Sequence, residues 1–402
     1  MSDVMAVVGG RVVPIEGEPV DGGTVLVESG RITAVGDGSL AVPAGARVVD
    51  AAGKWVLPGF IEAHGHVGVH EEGEGWAGAD VNEMTEPVTA QVRALDAINP
   101  DEEGWRDAVI GGVLAVNVNP GSGNPIGGQT VALKSYGGTV DDRLLRQPSG
   151  LKSALGENPK RVYGDRKQMP STRLGVAAVI RSAFVDAANY LAKIAAEEAK
   201  PEAERKAVER DLKLEALGRV LRREIPWRQH VHRADDIATA LRIAEEFGYE
   251  LVIDHGTEAH LVADKLAARG VPVIIGPLFT SRSKVELRNR SLRNPGLLAK
   301  AGVTIAITTD HPVVPINFLV HQATLAVKEG LDRDTALRSL TINPARIVGV
   351  ADRLGSLAPG KDADLCIWSG DPLDVMQRVE RAFIDGREIY TFDYAAGVGV
   401  FH

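Results

Sequence analysis

The stretch WRQHVHRADDIATALRIAEEFGYELVIDH, residues 227–255, holds two short apolar runs separated by a helical pattern. Each run ends in histidine: His230 and His232 close the first, and His255 closes the second. Strands that are apolar nearly throughout, joined through a helix, predict parallel neighbours in a sheet buried on both faces. The unit recurs downstream. VPVIIG leads through a loop into PGLLAKAG, and VTIAITTD leads into PINFLVHQATLAVKEG, so that a fourth apolar run ends in Asp310. Repetition of this unit favours a (β/α)8 TIM-like barrel, a fold of about 250 residues with room for insertions. The competing doubly wound sheet is weakened because no G-x-G-x-x-G follows an early strand.

The ends of the chain read differently. AVVGGRVVP, GTVLVESGRITAVGD and ARVVDAAGKWVLPG alternate β-branched runs with turn residues, and ADLCIW and VERAFIDGREIY repeat that style near the far end. Both termini, residues 1–57 and 353–402, are therefore expected to build one composite β-sandwich module. Residues 58–352 are expected to form the barrel. Within it, residues 172–224 are rich in Ala, Glu and Arg, which predicts a helical insertion broken near Pro201. It is expected either to cover the site or to make a subunit contact, or else to be a solvated hairpin.

Composition narrows the function. A formal net charge of -9 over 402 residues disfavours a general role on nucleic acid or anionic membranes. The single cysteine, Cys366, excludes an internal disulfide and a cysteine-rich zinc module, and fits a reducing cytoplasm. No apolar run is read as a membrane span. Any metal must then be held by His, Asp, Glu or a modified Lys.

Upstream, GFIEAHGHVGVHEEGEG (residues 59–75) places His64 and His66 two apart after an apolar run. In a strand, residues i and i+2 face one side, so both imidazoles converge at its C-terminal end. That end is the active-site face of barrel enzymes. Four strands ending in His or Asp make a shared divalent metal the natural partner for these groups.

With these residues in view, the sequence resembles the amidohydrolase superfamily of metal-dependent hydrolases. The matching pieces are LPGFIEAHGH, the histidines of the fifth and sixth strands, TTDHP, and SLTINPARIVGVADRLGSLAPGKDADLCIWSGDP. The imidazolonepropionase-like and prolidase-like branches are the nearest in pattern. The resemblance implies metal ligands at His64, His66, His230, His255 and Asp310. HVH offers two histidines, and the resemblance favours His230 as ligand and His232 as a substrate contact. It also implies a lysine on the fourth strand, Lys152, carboxylated between two metals, although an ordinary lysine or a substrate contact stays open there. The ion expected is divalent, zinc first, with manganese or iron as alternatives, in one or two copies.

The chemistry implied is hydrolysis of a C–N bond, in an amide or cyclic amide. Asp310 serves as general acid and base, and His232 or His255 steadies the oxyanion. A heterocycle deaminase, a small-peptide or N-acyl amino acid hydrolase, and a non-catalytic scaffold are the alternatives. A small-molecule substrate and a homo-oligomer are expected as partners.

Other stretches carry weaker signals. NPGSGNPIGGQ (residues 119–129) lacks the G-K-[ST] of a phosphate cradle and reads as a tight loop, with Gln129 reaching towards substrate. Lys160 and Arg161, with Arg166, are placed on the catalytic side, where they could meet an acidic substrate end or be solvated at the surface. His70, Glu71, Glu72 and Glu74 read as loop residues, His260 and His321 as packing or surface residues, and His311 as support for Asp310.

Overall fold

The computed structural model describes residues 4–402; residues 1–3 of the expected terminal module lie outside the described residues. From the N-terminus come strands β1 (Val4–Val12), β2 (Val20–Glu28), β3 (Arg31–Gly36), β4 (Arg47–Asp50) and β5 (Trp55–Pro58). The barrel strands follow as β6 (Phe60–Gly65), β7 (Val113–Val118), β8 (Ile126–Lys134) and β9 (Leu144–Ala154), then β10 (Trp227–Val231), β11 (Leu251–His255), β12 (Val273–Ile275) and β13 (Ile305–Ile307). The chain closes with β14 (Leu365–Trp368), β15 (Val379–Ile384), β16 (Arg387–Asp393) and β17 (Val398–Phe401).

Strands from both termini share one nine-stranded sheet. The joint is β5, which lies parallel to β1 and antiparallel to β14, with Trp55 opposite Trp368 and Pro58 opposite Leu365. Alternate residues supply its core: Met5 and Val7, Val25 and Val27, Leu365 and Ile367 meet Ile32, Val49, Val56 and Phe383 in one buried cluster.

The second sheet runs β6 to β13 in sequence order and is a near-closed eight-stranded barrel. Strands β9 to β13 are parallel, as the sequence predicts. One strand departs from the (β/α)8 pattern: β8 runs antiparallel to both β7 and β9. The connections at 119–125 and 135–143 are each shorter than the dozen residues a parallel crossover needs, so the chain turns back on itself there. Across the seam, Thr308 Oγ1 donates to the His64 carbonyl at 2.7 Å. Thr309 donates to the Glu62 carboxylate through its backbone N–H at 2.8 Å and through Oγ1 at 2.6 Å.

The helices α1 (Gly104–Ile110), α2 (Glu157–Asp165), α3 (Arg173–Glu198), α4 (Leu212–Leu221) and α5 (Ala234–Phe247) flank the barrel. The expected break near Pro201 is present, since α3 stops at Glu198. Its first half is a wall helix. Arg173 Nε bonds Asp236 at the strand ends that carry the histidines, whereas Phe184 stacks on Tyr249 and packs against Trp227, at the opposite end of β10 and β11. Val176, Ile180, Ala183, Phe184 and Ala187 are the buried stripe that fixes this orientation. By length and composition alone α3 could cross a membrane, contrary to the expectation that no run is long enough. In the fold, a third of its most apolar window is buried, against the protein itself.

Where barrel and terminal sheet meet, Lys134 at the end of β8 is buried among Asp362, Asp364 and Asp385, at 2.9, 3.0 and 2.7 Å.

Candidate metal centre

The expected ligands come together at the C-terminal ends of the barrel strands. His64 and His66 follow each other on and just after β6, and Asp310 Oδ1 stands 3.3 Å from the Nε2 of each. The His255 ring centroid is 4.8 Å from that of His64 and 4.4 Å from that of His230. Lys152 on β9 is buried, with Nζ 3.2 Å from His64 Nε2.

Two of these side chains arrive through unusual backbone. Asp254 and His255 are consecutive on β11 and in a regular strand would point to opposite faces. His255 has a φ of +72°, which turns its ring to the same side as Asp254; Asp310 has a φ of +54° at the end of the eighth strand. Left-handed backbone in residues other than glycine is strained and concentrates at functional sites.

Hydrogen-bond partners assign the ring protons. His66 Nδ1 lies 2.8 Å from the Asn119 carbonyl and His255 Nδ1 lies 2.8 Å from the Gly276 carbonyl, so both carry their proton on Nδ1. The ammonium of Lys152 can only donate, so His64 Nε2 accepts. Three imidazole lone pairs and a carboxylate thus face one another beside the Lys152 ammonium, a set of acceptors suited to a cation. Burial pushes His255 down to about 3 and holds His66, His230 and His232 below the ordinary histidine value, which keeps the imidazoles neutral as metal ligation demands. Burial likewise brings Lys152 down to about 8, against the pull of Asp254 and Asp310. The donor set fits a divalent metal.

The fifth-strand pair has a second neighbourhood. His232 Nδ1 lies 2.8 Å from Thr257 Oγ1, while its Nε2 faces Glu286 Oε1 at 3.9 Å. His230 Nε2 faces the Asn158 amide at 3.5 Å, and Lys284 Nζ donates to Asn158 Oδ1 at 3.1 Å. Burial raises the Glu286 carboxyl above its usual range.

Glu286, Asn158, Lys284, Asp254 and Arg228 are site residues that sequence reading missed. Arg228 and Asp254 left one signal, opposite charges inside two otherwise apolar strands. Gln129 is not brought to the cluster. It pairs in register with Leu151, one residue from Lys152, so it faces the outside of the barrel and donates to the Ala90 carbonyl. Lys160 and Arg161 are exposed on α2, whose inward turn presents Asn158 instead. His311 points away from the cluster; its Nδ1 accepts the Ile316 N–H at 3.2 Å, and its ring lies near Glu72 and Glu102.

Known proteins share this fold. A crystal structure of an amidohydrolase from Thermotoga maritima superposes with a TM-score of 0.93 at 46% identity, over 96% of this chain and 100% of that one. The protein belongs to the amidohydrolase family. Residues 202–389 of the chain match the model of the Amidohydrolase family. It is 31% identical over 395 residues to the amidohydrolase tasK of Hapsidospora irregularis, covering 90% of this chain but spanning 39% of that relative's length. An imidazolonepropionase of Mesorhizobium japonicum is 26% identical over 395 residues, 90% of each chain. The protein is therefore an enzyme, a hydrolase acting on C–N bonds, and members of its superfamily bind divalent metals.

Proposed function

We propose that the protein hydrolyses an amide or cyclic amide of a small molecule, with zinc as its metal. The ion would be held by His64, His66, His255 and Asp310, with His230 and a carboxylated Lys152 completing a two-metal version. The observation that carries this reading is the convergence of His64 Nε2 and His66 Nε2 on Asp310 Oδ1, each 3.3 Å from it. A divalent ion there supplies Lewis acidity, which activates water and polarises the carbonyl under attack.

The remaining work falls to side chains. Asp310 takes a proton from the attacking water on its carboxylate and returns it to the departing nitrogen, a general-base then general-acid role. His232 Nδ1 lies 2.8 Å from the Thr257 hydroxyl; with that hydroxyl as donor, the His232 proton would stand on Nε2, from which it would donate to the developing oxyanion. Glu286 and Lys284 line the adjoining side and orient polar groups of the substrate. The single cysteine, Cys366, is buried and suits a reducing compartment, and cytoplasmic residence belongs to this proposal.

The test combines metal content per chain with hydrolysis of a panel of N-acyl amino acids, dipeptides, cyclic amides and amino-substituted heterocycles. Zinc in the purified protein and turnover of amides or cyclic amides is the expected result. Ammonia release from the heterocycles alone would make the enzyme a deaminase, and active protein free of metal would overturn the assignment.

A further inference from the structure

Asp254 belongs to no ligand set above, yet it is fully buried beside the cluster. Its Oδ2 stands 3.1 Å from His64 Nδ1. Its Oδ1 accepts from Arg228 Nη2 at 2.9 Å and from Nε at 3.3 Å. Arg228 is also fully buried, and its Nη2 donates to the carbonyl of Ala63, the residue before His64, at 2.8 Å. The four residues therefore form a closed ring of contacts across three barrel strands.

The 3.1 Å contact between Asp254 Oδ2 and His64 Nδ1 falls outside hydrogen-bond geometry, and neither buried atom has a hydrogen-bond partner among the described residues. Such contacts tighten when a site is loaded. Because Lys152 donates to Nε2, the His64 proton lies on Nδ1 and faces the carboxylate. A lone carboxylate at this depth would be costly, and the Arg228 guanidinium offsets that cost while fixing where the carboxylate sits.

We propose that Asp254, anchored by Arg228, is a positioning residue that holds His64 with its proton on Nδ1 and its Nε2 lone pair turned to the metal. This rests on the reading of His64 as a ligand. Carboxylate partners of ligating histidines fix the tautomer and ring orientation, and their loss costs 10–100-fold in metal affinity. A carboxamide in place of Asp254 presents an N–H as readily as an oxygen, so the isosteric Asp254→Asn variant frees the imidazole to shift its proton to Nε2.

The experiment uses the full chain labelled with 15N-histidine. In metal-free protein, long-range 1H–15N correlation reads the His64 tautomer; zinc affinity follows from competition with a chelator. With Lys152→Met in both proteins, so that no ammonium holds Nε2, the chain with Asp254 is expected to show the Nδ1–H form and Asp254→Asn to lose it; with Lys152 in place, Asp254→Asn is expected to bind zinc 10–100-fold more weakly. Should Asp254→Asn not fold, Arg228→Lys keeps the buried charge but loses the fork, and a smaller drop in zinc affinity is expected. A purely structural pair would lower thermal stability in both variants while leaving tautomer and affinity unmoved, which overturns the proposal. An Nε2–H tautomer in wild type overturns it too. Failure of the ligand assignment shows separately, as wild-type protein that binds no zinc while its His64 tautomer is as expected.

Discussion

Lys152 Nζ sits 3.2 Å from His64 Nε2 and 3.8 Å from Asp254 Oδ2, so a buried ammonium lies among the groups that would otherwise meet a metal. Burial lowers its pKa from 10.5 to about 8. Folding therefore disfavours the protonated form, and between about pH 8 and 10.5 the unfolded chain binds more protons than the native one. Stability must rise with pH across that window. In chelator-treated protein, the urea midpoint of wild type is expected to gain on that of Lys152→Met between pH 8 and pH 10. Parallel curves for the two proteins would show that Lys152 is not the buried ammonium described.

Removing the metal tests the other half of the same cluster. Dialysis against a chelator is expected to abolish hydrolysis, and added zinc to restore it. His64→Ala should purify with less metal and no turnover. Asp310→Asn should lose about 10²–10⁴-fold in turnover, the range for a missing acid/base group.

Glu62 ties the barrel shut. Its carboxylate accepts from the His64 N–H at 3.1 Å and from both donors of Thr309. Glu62→Ala leaves those buried donors without acceptors, so a loss of about 3 kcal/mol or more is expected in denaturant unfolding. Thr309→Val removes the hydroxyl, which donates to Glu62 and accepts from the His311 N–H at 3.2 Å, and should cost about 1–3 kcal/mol.

Lys134 makes a similar point at the junction of the two sheets. Lys134→Met strips the shared cation from Asp362, Asp364 and Asp385, and breaking a buried ion pair costs about 3–5 kcal/mol. Lower thermal stability with an unchanged metal content in the surviving folded protein is the expected pair of results.

Much of this site was legible in sequence because strand ends are marked by composition. A run such as VTIAITTD announces where a buried strand meets the catalytic face, and His64, His66, His230, His255 and Asp310 all stand at such places; Lys152 came only from the family resemblance. The partners were not legible, because they act across strands. Arg228 and Asp254 meet only once β10 and β11 are in register, and Glu286 reaches His232 from a loop far along the chain. Lys160 and Arg161 were misplaced because helical phase, which decides between them and Asn158, cannot be read without knowing where α2 begins. The reversed strand β8 escaped for a related reason: its residues suit a strand of either direction, and only the short connections show which it takes.

The antiparallel seam of β5 with β14 has a consequence for how the protein is made. β5 ends at Pro58, and its partner does not begin until Leu365. On the ribosome, the apolar strands of the N-terminal segment must wait, incompletely paired, while the whole barrel is synthesised. Contacts this distant in sequence slow folding and leave strand edges exposed to other chains. Expression yield should therefore depend on the C-terminal strands more steeply than their distance from the catalytic histidines suggests.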